Sequence, residues 1–164
     1  MIEIIKKEYH RRIIEEGFHR IEKCVSFLSE DEIWYRPNKN SNSVGNLIMH
    51  LSGNVKQYVV SGIGEQPDNR ERDKEFDIDN RKEKNVIIGE LRKVVVKSNG
   101  VIDKLTAAQL TEDRKVQGFD ESVLSIIIHV IEHFSYHVGQ ITYFTKARKN
   151  IDTGYYAGLD LNIT

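Results

Sequence analysis

The chain has 164 residues, 39% hydrophobic and 30% charged, with a formal net charge of -1. That length suits a single domain, residues 1–164, with a proper core, and the balance excludes a disordered chain. The near-neutral charge provides no electrostatic footprint for nucleic acid or an anionic membrane surface.

A lone cysteine, Cys24, excludes an internal disulfide and fits a reducing compartment. No stretch approaches the roughly eighteen consecutive apolar residues of a membrane span. The N-terminal MIEIIKKEYHRR mixes charge with every apolar pair, unlike a secretory leader. The expected location is the cytoplasm.

In chain order, the first element is a helix over 2–28, with Ile5, Tyr9, Ile13, Ile21, Val25 and Leu28 at mostly four-residue steps. Ser29 and Glu32 stand at capping-box spacing, which predicts a short turn carrying Trp34 before Pro37. A second helix starts at Ser43 and carries Val44, Leu47, Ile48, Leu51, Val55, Tyr58 and Val59, ending near Gly62 and Gly64. The charged stretch 65–84 reads as an exposed, solvated connection running into a helix N-terminus. A third helix buries Ile87, Leu91, Val94, Val95, Val101, Ile102 and Leu105. Thr106 and Gln109 form another capping-box spacing, and Gly118 precedes a final helix over 121–147. The β-branched runs at 94–96 and 126–128 lie inside longer helical periods, so strand signals are few. The fold class is therefore all-α: a four-helix bundle with short helical turns in two connections.

Half of the six histidines lie in one segment of the last helix, HVIEHFSYHVGQ, as His129, His133 and His137. Side chains four residues apart share a helix face, so two of these imidazoles can reach one metal ion. The helical wheel places all three, with Gln140 and Tyr136, along the edge of the apolar face of Val123, Ile127, Ile131, Phe134, Val138 and Ile141. On the second helix His50 lies at the edge of the apolar stripe, near Asn46, Asn54 and Gln57, which makes it a reasonable third ligand. The bland alternative is a set of surface or hydrogen-bonded histidines, and His10 and His19, in a charged helix, are read as solvated. His129 to His133 also matches H-x-x-E-H, the inverted zinc-peptidase pattern. That chemistry needs a further carboxylate ligand well downstream in the short remainder of the chain, so it carries little weight. Glu132 points about 100° away from its neighbour and reads as a surface residue.

The combination of NSVGNLIMHLSGN around His50 with IEHFSYHVGQI around His133 and His137 resembles the DinB-like superfamily of metal-binding four-helix bundles. With LSEDEIWYRPN upstream, the chain is similar to the branch called domain of unknown function 1572. The resemblance implies an up-down-down-up bundle with a long crossover, for which 65–84 is the natural candidate. It also implies a metal triad of His50, His133 and His137, leaving the role of His129 open, and a homodimer. Some members of the superfamily are transferases or isomerases that use a low-molecular-weight thiol.

Three imidazoles leave an open coordination position, the catalytic rather than the structural pattern. Zinc is the default, and nickel, iron and manganese also accept imidazole. Such a position lowers the pKa of bound water or deprotonates a thiol. Asn54, His129, Tyr136 and Gln140 are the candidates for orienting ligands or substrate. Trp34, Arg36 and Asn38 are candidates for a pocket mouth, with Trp34 preferred as a plug at the end of the bundle. Cys24 reads as packing. The expected function is a metal-dependent enzyme, most concretely an S-transferase using a small thiol as co-substrate on a small-molecule substrate. The alternatives are a non-catalytic, stress-associated metal-binding bundle and a hydrolase using bound water.

Overall fold

The computed structural model of the chain describes residues 1–77 and 79–163. Its first helix, α1, is continuous through three segments, Ile2–His10, Arg11–Phe18 and His19–Phe27, of which the middle one is π-helical. A short turn, α2 (Glu30–Ile33), follows. Helix α3 runs Val44–Val55 and continues in π geometry over Lys56–Ile63. Helix α4 is Lys84–Ile102, and α5 is Val123–Lys149.

The starts are set by local chemistry. Ser29 and Glu32 exchange hydrogen bonds in a complete capping box, and Ser43 does the same with Asn46 at the start of α3. Ser122 caps α5, which ends at Asn150 in the left-handed conformation (φ 50°).

The π segment of α1 follows from its residue spacing. Tyr9, Ile13, Gly17, Ile21 and Val25 recur every four residues and all are buried. On an α-helix each such step overshoots a full turn by about 40°, so five positions would wind off the core. A π turn is wider, with an i→i+5 bond, and brings the stripe back. The His19 N–H accordingly reaches the Ile14 carbonyl.

Contacts between helices define their directions. Gly17 meets Phe134 and Cys24 meets Thr142, so α1 and α5 run the same way. Tyr9 bonds Ser98 while Lys84 bonds the Leu28 carbonyl, so α4 runs opposite to α1. Gly64 packs on Val101, and both α3 and α4 begin at Trp34, which makes them parallel. Helix α3 packs antiparallel on α5, and the buried apolar side chains form one continuous core. The α3–α4 connection, 64–83, is a crossover from one end of the bundle to the other.

Three features depart from the sequence reading. The crossover is not simply solvated: it contains a 3₁₀ turn, Arg72–Glu75, whose Glu75 is buried. Before α5 lies a hairpin, β1 (Asp113–Val116) and β2 (Phe119–Ser122), joined by Gln117 and Gly118, both at positive φ. The two-residue turn ending in Gly is the available signal, since both central positions need φ > 0. Helix α4 also stops at Ile102, short of Leu105, and the turn after Thr106 is a 3₁₀ segment, Ala108–Thr111. No helix among the described residues is long and apolar enough to cross a membrane.

Trp34 plugs the end of the bundle. It is 9% exposed, and its indole N–H donates to the Lys82 carbonyl at 3.1 Å. A Cβ at Gly45 would stand 2.6 Å from the indole ring. Gly45→Ala should therefore destabilise the fold by about 1–3 kcal/mol through overpacking, read as a lower urea midpoint with an unchanged slope.

Candidate metal centre

Antiparallel packing of α3 on α5 sets two four-residue ladders side by side. His50, Asn54 and Tyr58 descend α3; His137, His133 and His129 ascend α5. The His50 ring centre lies 4.9 Å from that of His133 and 5.2 Å from that of His137, and Tyr58 stacks on His129 at 4.5 Å. His50 and His137 are buried, and His133 is half-buried.

The ring nitrogens sort themselves by their neighbours. His50 Nδ1 lies 2.8 Å from Glu75 Oε2, an acceptor, and 3.2 Å from Arg70 Nη2, which is itself closer to Glu75; the shorter contact to the carboxylate assigns the proton to this nitrogen as donor. His137 Nδ1 lies 2.7 Å from Gln140 Oε1 and donates likewise. The Nε2 atoms of both rings are then free to offer lone pairs, and both point at His133 Nε2, at 3.1 and 3.2 Å. One proton on His133 cannot satisfy two such lone pairs at once. A cation can.

The spacing fits a metal. One ring nitrogen from each of His50, His133 and His137 lies within 4.8 Å of the other two. Two nitrogens each about 2.05 Å from a tetrahedral zinc would stand about 3.3 Å apart. The cluster of His50, His133 and His137 can therefore hold a divalent ion. The carboxylate or carbonyl behind each of two rings is the usual way a protein fixes a ligand's tautomer.

The support for His50 comes from the crossover. Arg70 grips Glu75 with two bonds, Nε to Oε1 at 2.7 Å and Nη2 to Oε2 at 2.8 Å. Both side chains are nearly inaccessible, at 4% and 9%. Arg70 also donates to Gln57 Oε1 at 2.8 Å, and its own N–H to Asp68 at 3.0 Å. Asn46 holds the Glu75 carbonyl at 2.9 Å. A Cβ at position 53 would collide with Glu75 Oε1, so Gly53 leaves the space that the carboxylate fills. Glu75 and Arg70 are absent from the sequence-based site. Their only trace is a pair of opposite charges in a highly charged stretch, which has no period to mark it.

Burial and electrostatics hold the His133 and His137 rings unprotonated. Burial, followed by the proximity of His137, His50, His129 and Arg70, lowers the His133 pKa from the usual histidine value to about 3. Burial lowers that of His137 too, against the Gln140 bond, which raises it. Burial alone would raise Glu75, but Arg70 and then His50 outweigh it and keep the carboxylate ionised.

The remaining sequence-based candidates are more scattered. Tyr136 sits edge-on to His137 with ring centres 5.1 Å apart but is 64% exposed. Asn54 is 4% exposed. His129 lies between Tyr58 and His133, outside the converging three. Arg36 donates to the carbonyls of Ser41 and Lys39 and so shapes its own loop, as does Asn38. Trp34 serves the plug. Glu132 and His19 are exposed, while His10 is half-buried beside Asn99. Cys24 is buried against the Tyr155 hydroxyl.

Two outcomes test this geometry. Glu75→Gln should weaken zinc binding by about 10–100-fold, measured by chelator competition, because His50 loses its anionic acceptor. In chelator-treated protein, the histidines with lowered pKa bind fewer protons folded than unfolded. Stability should therefore fall as pH drops below about 6.5 and continue falling towards the folded value. Urea midpoints at pH 7.5 and pH 5 measure the slope, which His133→Ala should reduce.

Similarity to known proteins agrees with the fold. The family model described as "Protein of unknown function (DUF1572)" matches residues 6–156. A conserved protein from Enterococcus faecalis superposes with a TM-score of 0.71 at 14% identity, covering 88% of this chain and 97% of its own. A DinB-like protein from Bacillus subtilis gives 0.66 at 14% identity, covering 90% and 93%. A DinB-like protein from Bacillus cereus gives 0.65 at 16% identity, covering 84% and 88%. None of the curated proteins matches the sequence significantly. With the family model spanning nearly its whole length, the chain belongs to the DUF1572 family, and its fold is similar to that of DinB-like bundles.

Proposed function

We propose that the chain is a metal-dependent enzyme that holds one divalent ion on His50, His133 and His137 and transfers a small thiol to an electrophilic carbon. The observation that carries this reading is the convergence of the His50 and His137 lone pairs on His133, with Glu75 and Gln140 behind them. Zinc is the first choice, and imidazole also suits nickel, iron and manganese. A divalent ion held by His50, His133 and His137 would supply Lewis acidity, which would lower the pKa of a thiol or water at the site.

The protein's own groups supply the rest. Arg70 and Glu75 fix His50, and Gln140 fixes His137. Gln140 also lines a cleft of about 300 Å³ with Leu47, Asn42, Tyr143 and Phe144. Its mixed aromatic and amide walls suit a small, uncharged, partly apolar substrate. In the proposed reaction a sulfur–carbon bond forms as the leaving group departs with its electron pair, and the thiol proton passes to solvent. We read the active species as a homodimer, which light scattering checks.

Purified protein should contain close to one divalent ion per chain by elemental analysis and should consume a small thiol in a panel of electrophiles. A chelator should abolish that consumption. His133→Ala should lower both metal affinity and activity by more than about a hundredfold. Metal retained in that variant would sink the ligand assignment. Metal binding without thiol consumption would favour the non-catalytic bundle, and hydrolysis without added thiol the hydrolase.

A further inference from the structure

Glu75 and Gln140 account for two of the three proposed ligands, and the third is left without such support. His133 Nδ1 is buried and has no hydrogen-bond partner among the described residues. Three other buried atoms share this condition: Arg114 Nε on the hairpin strand β1, and Asn54 Oδ1 and His129 Nε2 on the two helices that meet at His133. Buried polar atoms without partners are rare, so three in one seam call for a common explanation.

The ladders place them together. His50 meets His133 across the seam, and Tyr58 meets His129. Asn54 lies one turn from His50 and one turn from Tyr58, opposite the step between His133 and His129. Its side chain is 4% exposed, so bulk solvent does not satisfy it.

From this we infer that one buried water molecule bridges His133 Nδ1, Asn54 Oδ1 and His129 Nε2, which makes Asn54 a positioning residue for His133. The inference rests on the metal reading, since coordination through Nε2 is what puts the His133 proton on Nδ1. The chemistry of the three atoms selects the occupant. An Nδ1–H donor repels a cation, and the acceptor-only Asn54 oxygen repels an anion. A water accepts from His133, donates to Asn54, and uses its remaining proton or lone pair on His129, reaching the usual three bonds of a buried water. His129 thus acquires a place in the site without being a ligand.

The test uses the zinc-loaded full chain. Nuclear magnetic resonance of the imidazole groups should show a His133 Nδ1–H that exchanges slowly with solvent and has a cross-peak to a long-lived water. Asn54→Leu removes the acceptor and fills the space, and should weaken zinc binding about tenfold or more. Asn54→Asp, which keeps an acceptor oxygen in place, should not show the loss of affinity that Asn54→Leu shows. A rapidly exchanging His133 proton, or undiminished zinc affinity in a folded Asn54→Leu protein, would overturn the water. If Asn54→Leu does not fold, the wild-type spectrum decides. Wild-type protein that takes up no zinc would instead overturn the metal reading.

Discussion

Three imidazole rings meet in the packed seam between α3 and α5, and their nitrogens cannot all satisfy one another. Two lone pairs face a third nitrogen at hydrogen-bond distance, inside an otherwise apolar bundle. Adding protons would place like charges a few ångströms apart in a poorly screened space. Neutral rings with their acceptors turned inward are the remaining arrangement. The surroundings follow from that constraint: a carboxylate behind one ring, an amide oxygen behind another, and a cleft beside the amide.

The carboxylate brings a second problem. Glu75 is itself buried, and the attraction of a histidine alone is a weak return for desolvating it. The Arg70 fork supplies the opposite charge in a two-bond geometry. Removing one partner from such a buried pair generally costs about 3–5 kcal/mol, because the other charge is left stranded. The crossover therefore does more than connect α3 to α4. It brings both charges to the back of His50, and Gly53 on α3 leaves the space for them.

The sequence made the bundle legible because its apolar stripes and caps have short-range signatures. Ser43 with Asn46, and Ser29 with Glu32, mark helix starts within three residues. The spacing of His133 and His137 is equally local, and His50 is found from its position on a second amphipathic face. Arg70 and Glu75 were missed for a physical reason. They lie 20 and 25 residues from His50, the ring they support, in a segment without period, and a charged run ordinarily means a solvated one. The hairpin at 113–122 was missed because its strands are mostly polar and exposed, leaving only the Gln117–Gly118 turn as a signal. His129 shows the limit of pattern matching. Its spacing equals that of the other two, yet a rung every four residues on an α-helix drifts by about 40°, enough to take the third ring away from the common centre.

The same arithmetic acts differently on α1, where the π segment Arg11–Phe18 absorbs the drift. A wide turn holds about one residue more than the α turn it replaces. Relatives whose first helix is regular must therefore lack that residue within this stretch rather than in the loop after Phe27. Equating residues by sliding the difference into the loop would pair every position before it with one about 100° around the helix. Tyr9, which is wholly buried and bonded to Ser98, would then be matched to a surface site. Evolutionary comparison of this end of the bundle depends on where a single gap is placed.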